Sequence, residues 1–194
     1  KMSGDYFTQA TIFLVELFFD IFIIALLLRY LLTKAHADSF NPLSGLIIKV
    51  TNPLLKPLRR KIPGYLGVDW SSVVALLLVQ ALEVTLVELI MSGEMLAFSG
   101  LIILTVAHLL KTILYIYLFI IIVQVIISWI NPDAYNPITM IMYQLSEPIL
   151  RPVRRIIPSA GGFNFSPLII LVIINLLMIL LISPLMDVGH RLAH

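Results

Sequence analysis

Shifting the chain by 95 residues lays it over itself without a gap. Asn41-Pro42 falls on Asn136-Pro137, Pro53-Leu54-Leu55-Lys56-Pro57 on Pro148-Ile149-Leu150-Arg151-Pro152, and Arg59-Arg60-Lys61-Ile62-Pro63 on Arg154-Arg155-Ile156-Ile157-Pro158. Gly67 and Ser71 then fall on Gly162 and Ser166. Between Asn41 and Ser72, 11 of 32 positions are identical in the second copy, and most are Pro, Arg or Gly, so shared apolar bias does not explain them. A repeat of this kind fixes the architecture before any local reading. Each copy lies between two long hydrophobic stretches, which makes the chain a duplicated membrane unit.

Only 12% of the residues are charged, about half the share in a soluble domain. Four stretches reach the roughly 20 apolar residues that a spanning helix needs: Thr8–Leu32, Ser71–Met91, Phe98–Ile130 and Pro167–Met186. The expected fold is an all-α integral membrane protein of two parallel-oriented helical hairpins. The first repeat covers 1–97, with spans at 8–32 and 71–91 around a basic loop at 33–70. The second covers 98–194, with spans at 105–130 and 167–186 around a loop at 131–166. The third stretch exceeds one upright span, so it opens with an interfacial segment over Phe98–Val106 or it tilts. The first stretch is not expected to be a signal peptide. It is too long, lacks a preceding basic region, and contains Glu16 and Asp20.

Two spans per repeat return the chain to its starting side. Lys34, Lys49, Lys56, Arg59, Arg60 and Lys61 in one loop, and Arg151, Arg154 and Arg155 in the other, therefore share a face of the membrane. Opposite them stand only Lys1 and Arg191, near the termini. The positive-inside rule places both loops in the cytoplasm and both termini outside a bacterial inner membrane.

Asn41-Pro42, Asn52-Pro53, Asn136-Pro137 and Ser166-Pro167 read as helix starts, because Asn or Ser caps free N–H groups and Pro suits the first helical position. Ile62-Pro63 and Ile157-Pro158 read as stops. On a helical wheel Leu54, Leu55, Leu58 and Ile62 fall within about 100°, away from Lys56, Arg59 and Arg60. Ile149, Leu150, Val153 and Ile157 stand likewise against Arg151, Arg154 and Arg155, and Lys61 alone breaks the apolar arc. Pro57 and Pro152 imply a short or kinked helix. Such segments lie flat at the headgroup level, and the six basic residues are candidates for contact with anionic lipid headgroups or a protein partner.

Within the spans the same offset maps Glu16 onto Lys111, Asp20 onto Tyr115, Arg29 onto Gln124 and Gln80 onto Asn175. Intramembrane ionisable groups are costly and face an interior or a wet cavity. Glu16, Asp20, Gln80, Glu83, His108, Lys111 and Asn175 are thus expected to form a polar network, with Glu16 or Asp20 meeting Lys111 across the bundle centre. Arg29 and Glu88, near helix ends, are expected to snorkel. The network either ties helices together or forms an ion path. No filter-like Gly-rich carbonyl loop or ring of acids supports the path.

Catalytic chemistry is not expected. Zero cysteines exclude disulfides, iron–sulfur clusters and thiolate nucleophiles. His36 and His108 stand alone, and His190 and His194 lie in a tail expected to fray, so no metal or haem is expected. No Gly-rich phosphate loop occurs, Ser128-Trp129 reads as an interfacial anchor, and no nucleic-acid partner is expected.

Doubled Asn-Pro, Pro-x-Leu-basic-Pro-x-Arg-Arg-x-Ile-Pro, then Gly and Asp/Asn-x-Ser, set among four spans, resemble the YggT family of bacterial inner-membrane proteins. Leu27-Leu28-Arg29 before the first copy and Ser128-Trp129 before the second fit the same resemblance. It implies links to osmotic-stress tolerance, potassium homeostasis and cell division, and in chloroplasts to cytochrome maturation and nucleoid organisation. It brings no agreed molecular activity. Gln124 in the register of Arg29, and Ile156 in that of Lys61, depart from strict symmetry. The expected role is a non-enzymatic scaffold or assembly factor, a homo-oligomer or a membrane protein's partner. The alternatives are an ion channel or transporter component, and a lipid-handling protein with a groove near Arg59 and Arg154.

Overall fold

Hydrocarbon offers no partner to a backbone N–H or C=O, so four long apolar runs must close their hydrogen bonds within helices. The computed structural model describes residues 3–34, 41–62, 64–65, 67–130, 136–156 and 165–193, and they are helical almost throughout. The helices are α1 (Ser3–Lys34), α2 (Pro42–Lys61), α3 (Trp70–Ser92), α4 (Phe98–Ile130), α5 (Pro137–Ile156), α6 (Ser166–Leu177) and α7 (Ser183–Ala193), with a π turn at Met178–Ile182 joining the last two. Four stretches fit a multi-pass membrane protein: Tyr6–Lys34, Trp70–Ser92, Phe98–Ile130 and Ser166–Ala193. Lys1, His36, Pro63, the stop at Ile157-Pro158, Gly162 and His194 lie outside the described residues.

Local chemistry sets the boundaries. Asn41 accepts the Leu43 N–H at 3.0 Å and caps α2, while Asp69 caps α3 through the Ser72 N–H. Gly93 takes a φ of 74° at the end of α3, a left-handed turn that glycine adopts without strain. Asn52-Pro53 is not a start: α2 runs through Pro53 and Pro57, and α5 through Pro148 and Pro152. All four prolines are exposed, so the carbonyls they leave unpaired lie toward the outer face, where water or headgroups can bond them.

The third span is one continuous helix of 33 residues. At 1.5 Å per residue it measures about 50 Å, so it tilts or protrudes, and the expected interfacial break over Phe98–Val106 is absent. The fourth span is interrupted instead. Pro184 has no N–H for the Leu180 carbonyl and crowds it. The helix widens into the π turn, in which the Ser183 N–H and hydroxyl both reach the Met178 carbonyl. Beyond it α7 stays helical to Ala193, so the tail carrying His190 does not fray.

Small residues let α7 lie directly on α4. Gly100 is so close to Ala193 that an added Cβ would meet the Ala193 Cα at 2.4 Å. At Gly189 it would meet Leu104 at 2.7 Å. Gly189 and Ala193 form the small-xxx-small face typical of helix pairs in lipid. The Ala97 N–H closes the contact on the Ala193 carbonyl at 3.0 Å. The main core joins Leu26 and Leu27 of α1, Ile47 and Leu55 of α2, Leu76 of α3, Ile116 and Ile120 of α4, and Ile141 and Leu145 of α5. A smaller one gathers Ile121, Leu150, Ile170 and Ile174 in the second repeat.

Gly100→Ala is expected to destabilise the bundle by about 1–3 kcal/mol, because the obstructing atoms are the backbone and Cβ of Ala193, which cannot swing away. Gly45→Ala in α2, with nothing within 4 Å of its added Cβ, should be neutral or stabilising. Thermal unfolding in detergent checks this; equal midpoints for the two variants would contradict the packing account.

Candidate functional site

The two basic helices meet at their N-termini. Asn41 is 7% exposed. While its Oδ1 caps α2, its Nδ2 donates to the Pro137 carbonyl in the first turn of α5 at 2.7 Å. Asn136, its register mate, caps α5 by accepting the Ile138 and Thr139 N–H groups at 3.0 and 2.9 Å. The contact puts both loops at one end of the bundle.

Each helix is docked on the span that precedes it by a polar clamp. Arg29 is 6% exposed. Its Nη1 donates to the Ile48 carbonyl at 3.2 Å, to Thr51 Oγ1 at 2.6 Å and to Asn52 Oδ1 at 2.9 Å, all on α2. Arg29 therefore does not snorkel. In the second repeat Gln124 Nε2 donates to Ser146 Oγ at 2.6 Å, and Gln124 and Ser146 are the register mates of Arg29 and Thr51. Residue typing alone missed this clamp. The signal that carries it is the pairing by the 95-residue offset of a donor on each first span with a hydroxyl on each loop helix.

Along α2 the buried stripe is Ser44, Ile47, Thr51 and Leu55, and along α5 it includes Thr139, Ser146 and Leu150 at the same registers. Lys56, Arg60, Lys61, Arg151 and Arg155 are exposed. Arg59 and Arg154 are tied inward, Arg59 to Asp69 and Arg154 to Glu147 at 3.0 Å. The acid occupies different registers in the two copies, since Asn52 stands in that of Glu147 and Asn164 in that of Asp69.

Asp69 joins this surface to the start of α3. Partial burial pushes the pKa of its carboxyl up, but hydrogen bonds from Ser71, Ser72 and Arg59 and the charge of Arg59 outweigh it, holding the pKa down at about 2.

The expected intramembrane network divides. Gln80 and Glu83 are buried on α3, and Gln80 Nε2 donates to Glu83 Oε2 at 2.8 Å. Gln80 Oε1 is buried with no partner. Glu16 and Asp20 of α1 lie within electrostatic reach of Glu83. Lys111 does not pair with them: the ion pairs among the described residues are Arg59–Asp69 and Arg154–Glu147. Lys111 sits over the Tyr115 ring instead, 5.9 Å from its centroid. Asp20 and Tyr115 line opposing walls of one cleft between the repeats, which holds α1 and α4 apart at this depth. His108 is half-buried, with Lys111 and His190 as its charged neighbours. Asn175 leaves the network altogether. It is exposed and donates to the Leu171 carbonyl of its own helix at 2.8 Å. Its helix packs only on α4, α5 and the π turn, whereas α3, carrying Gln80, lies between α1 and α4.

The family model described as CCB3/YggT matches residues 8–90 and again 103–185, two copies at the same 95-residue offset. The chain belongs to this family. An uncharacterized protein of Pseudomonas aeruginosa is 34% identical over 175 residues, covering 90% of this chain and 89% of the relative. The uncharacterized protein YggT of Escherichia coli K12 is 35% identical over 163 residues, 84% of each chain. A Vibrio alginolyticus relative from the region 3′ of proC is 34% identical over 161 residues, 82% of this chain and 86% of its own. No solved structure matches.

Because the folded Asp69 carboxyl titrates below its ordinary value of 3.8, its contribution to stability is present above that value and is lost as pH falls toward about 2. Asp69→Asn is expected to remove part of the acid-side decline in the thermal midpoint across this window. A decline of undiminished slope in the variant would refute the assignment.

Proposed function

We propose that this member of the CCB3/YggT family is a non-enzymatic inner-membrane scaffold. On this reading its two loop helices lie at the cytoplasmic headgroup layer and hold anionic lipid against a membrane partner or a second copy of the chain. The observation that carries the reading is the division of labour within each arginine pair. One arginine is neutralised by an acid of the fold, and the next is exposed with no such partner among the described residues, near another exposed base. Lys56, Arg60 and Lys61, with Arg151 and Arg155, make five such charges at one end of the bundle. Each contributes about 1 kcal/mol of attraction to an anionic surface. A two-faced helix at that level, apolar toward the bundle and basic away from it, fits a headgroup-binding element.

A second reading, a channel or transporter component, draws support from the buried Gln80–Glu83 pair with Glu16 and Asp20 in electrostatic reach. Ion flux through liposomes that vanishes in Glu83→Gln would favour it.

The primary test replaces Lys56, Arg60, Arg151 and Arg155 by Gln together. These side chains are exposed, so the variant should fold. Protein in mixed vesicles of phosphatidylethanolamine and phosphatidylglycerol is excised in polymer-bounded discs and its lipid quantified. The wild type should carry phosphatidylglycerol enriched roughly twofold or more over the bulk, and salt should weaken the enrichment. The variant should carry bulk proportions. Equal lipid composition in the two would overturn the proposal.

A further inference from the structure

A cleft of about 470 Å³ opens between the repeats, walled by α1 and α4 and floored by α2 and α5. Its lining repeats the 95-residue offset: Asp20 with Tyr115, Ile24 with Phe119, Leu43 with Ile138, and Ile47 with Met142. The cleft therefore lies on the axis relating the two copies. Only Asp20, Thr112 and Tyr115 interrupt an otherwise aliphatic and aromatic wall. Volumes of roughly 300–1,000 Å³, apolar walls and a few convergent polar groups characterise small-molecule sites, and spaces between the helices of a bundle are a preferred place for them.

The polar groups cluster at one depth. Asp20 stands at the middle of the span Tyr6–Lys34, where bilayer hydrocarbon is thickest. Among the described residues no hydrogen bond or ion pair engages its carboxylate, and Lys111 acts on it only from beyond pairing distance. Lys111 holds its Nζ over the face of Tyr115, the residue opposite Asp20. An unpaired acid thus lines one apolar space beside Thr112 and Tyr115, while Lys111 stands outside that lining, over the Tyr115 ring. An ordinary acyl chain would leave the Asp20 carboxylate without a donor in hydrocarbon, which is costly for a charged group. A ligand with a bare cation would satisfy the acid and repel the lysine.

We propose that the cleft binds a neutral hydroxylated amphiphile, whose hydroxyl donates to Asp20 while its apolar body fills the space toward Leu43 and Ile138. The same chemistry is offered by a long-chain or prenyl alcohol and by the phenol of a prenylated hydroquinone, whose ring would lie against Tyr115 and Phe119. The assignment does not depend on the headgroup reading above, since it uses none of the exposed bases.

The test uses the full chain in detergent micelles and a long-chain alcohol bearing a diazirine near its hydroxyl, with labelled positions mapped by mass spectrometry. Labelling should be saturable and fall on the segments around Ile24 and Phe119. Asp20→Leu should reduce it about tenfold, the scale of one lost charge-assisted hydrogen bond. Ile24→Trp, which fills the cleft without touching the polar groups, should reduce it to a similar degree and keeps the proposal testable if Asp20→Leu does not fold. Stronger competition by the prenylated hydroquinone than by unlabelled alcohol would identify the phenolic source, and the reverse order the aliphatic one. Equal labelling by the methyl ether of the probe, with no effect of Asp20→Leu, would mean that ordinary lipid tails occupy the cleft and would overturn the proposal. Stronger competition by the corresponding long-chain amine would overturn it as well.

Discussion

A guanidinium near the end of the first long apolar helix anchors the first loop helix. Among the described residues Arg29 has no carboxylate at ion-pair distance, and its Nη1 donates to three neutral oxygens on α2. Removing those oxygens would leave a buried charge bare, which costs far more than the bonds contribute in water. The clamp therefore fixes the position of α2 against α1, and Gln124 with Ser146 does the same for α5 against α4. Docked in this way, the two loop helices can turn one face to the bundle and the other outward. The cleft between the repeats lies between the two spans that carry these clamps, with both loop helices along its floor.

The two copies solve one electrostatic problem by different routes. Arg59 is neutralised by an acid at the start of the following span, and Arg154 by an acid seven positions earlier on its own helix. Exposed ion pairs of this kind contribute about 0–1 kcal/mol, so their worth lies in orientation. By engaging the first arginine of each pair, they leave Arg60 and Arg155 turned outward. The fourth span departs furthest from its counterpart. Pro184 and the π turn bend it onto α4, where glycines permit backbone contact. Among the described residues no contact joins that span to α1, so α3 has neighbours on both sides and α6 lies at an edge.

Whatever depends on period and punctuation was legible in the sequence: the duplicated unit, the four spans, and the Asn caps of α2 and α5. Features that depend on neighbours were not. Asn52-Pro53 looked like a helix start because a sequence does not reveal which prolines face outward. Arg29 looked like a snorkelling residue because its three acceptors lie 19 to 23 positions away. The Glu16 or Asp20 pairing with Lys111 was right in register but wrong in reach, since register gives depth and says nothing of the cleft that separates the walls. Asn175 was assigned inward from the burial expected of Gln80, and an edge position overrode the analogy.

The central claim is that both loop helices share one surface of the membrane. The chain has no cysteine, so single thiols can be introduced without background. Arg60→Cys and Arg155→Cys, each probed with a membrane-impermeant maleimide in sealed vesicles of known orientation, give the most direct measurement. The account requires both thiols to react from the same side and to be protected from the other. Reaction from opposite sides would contradict it.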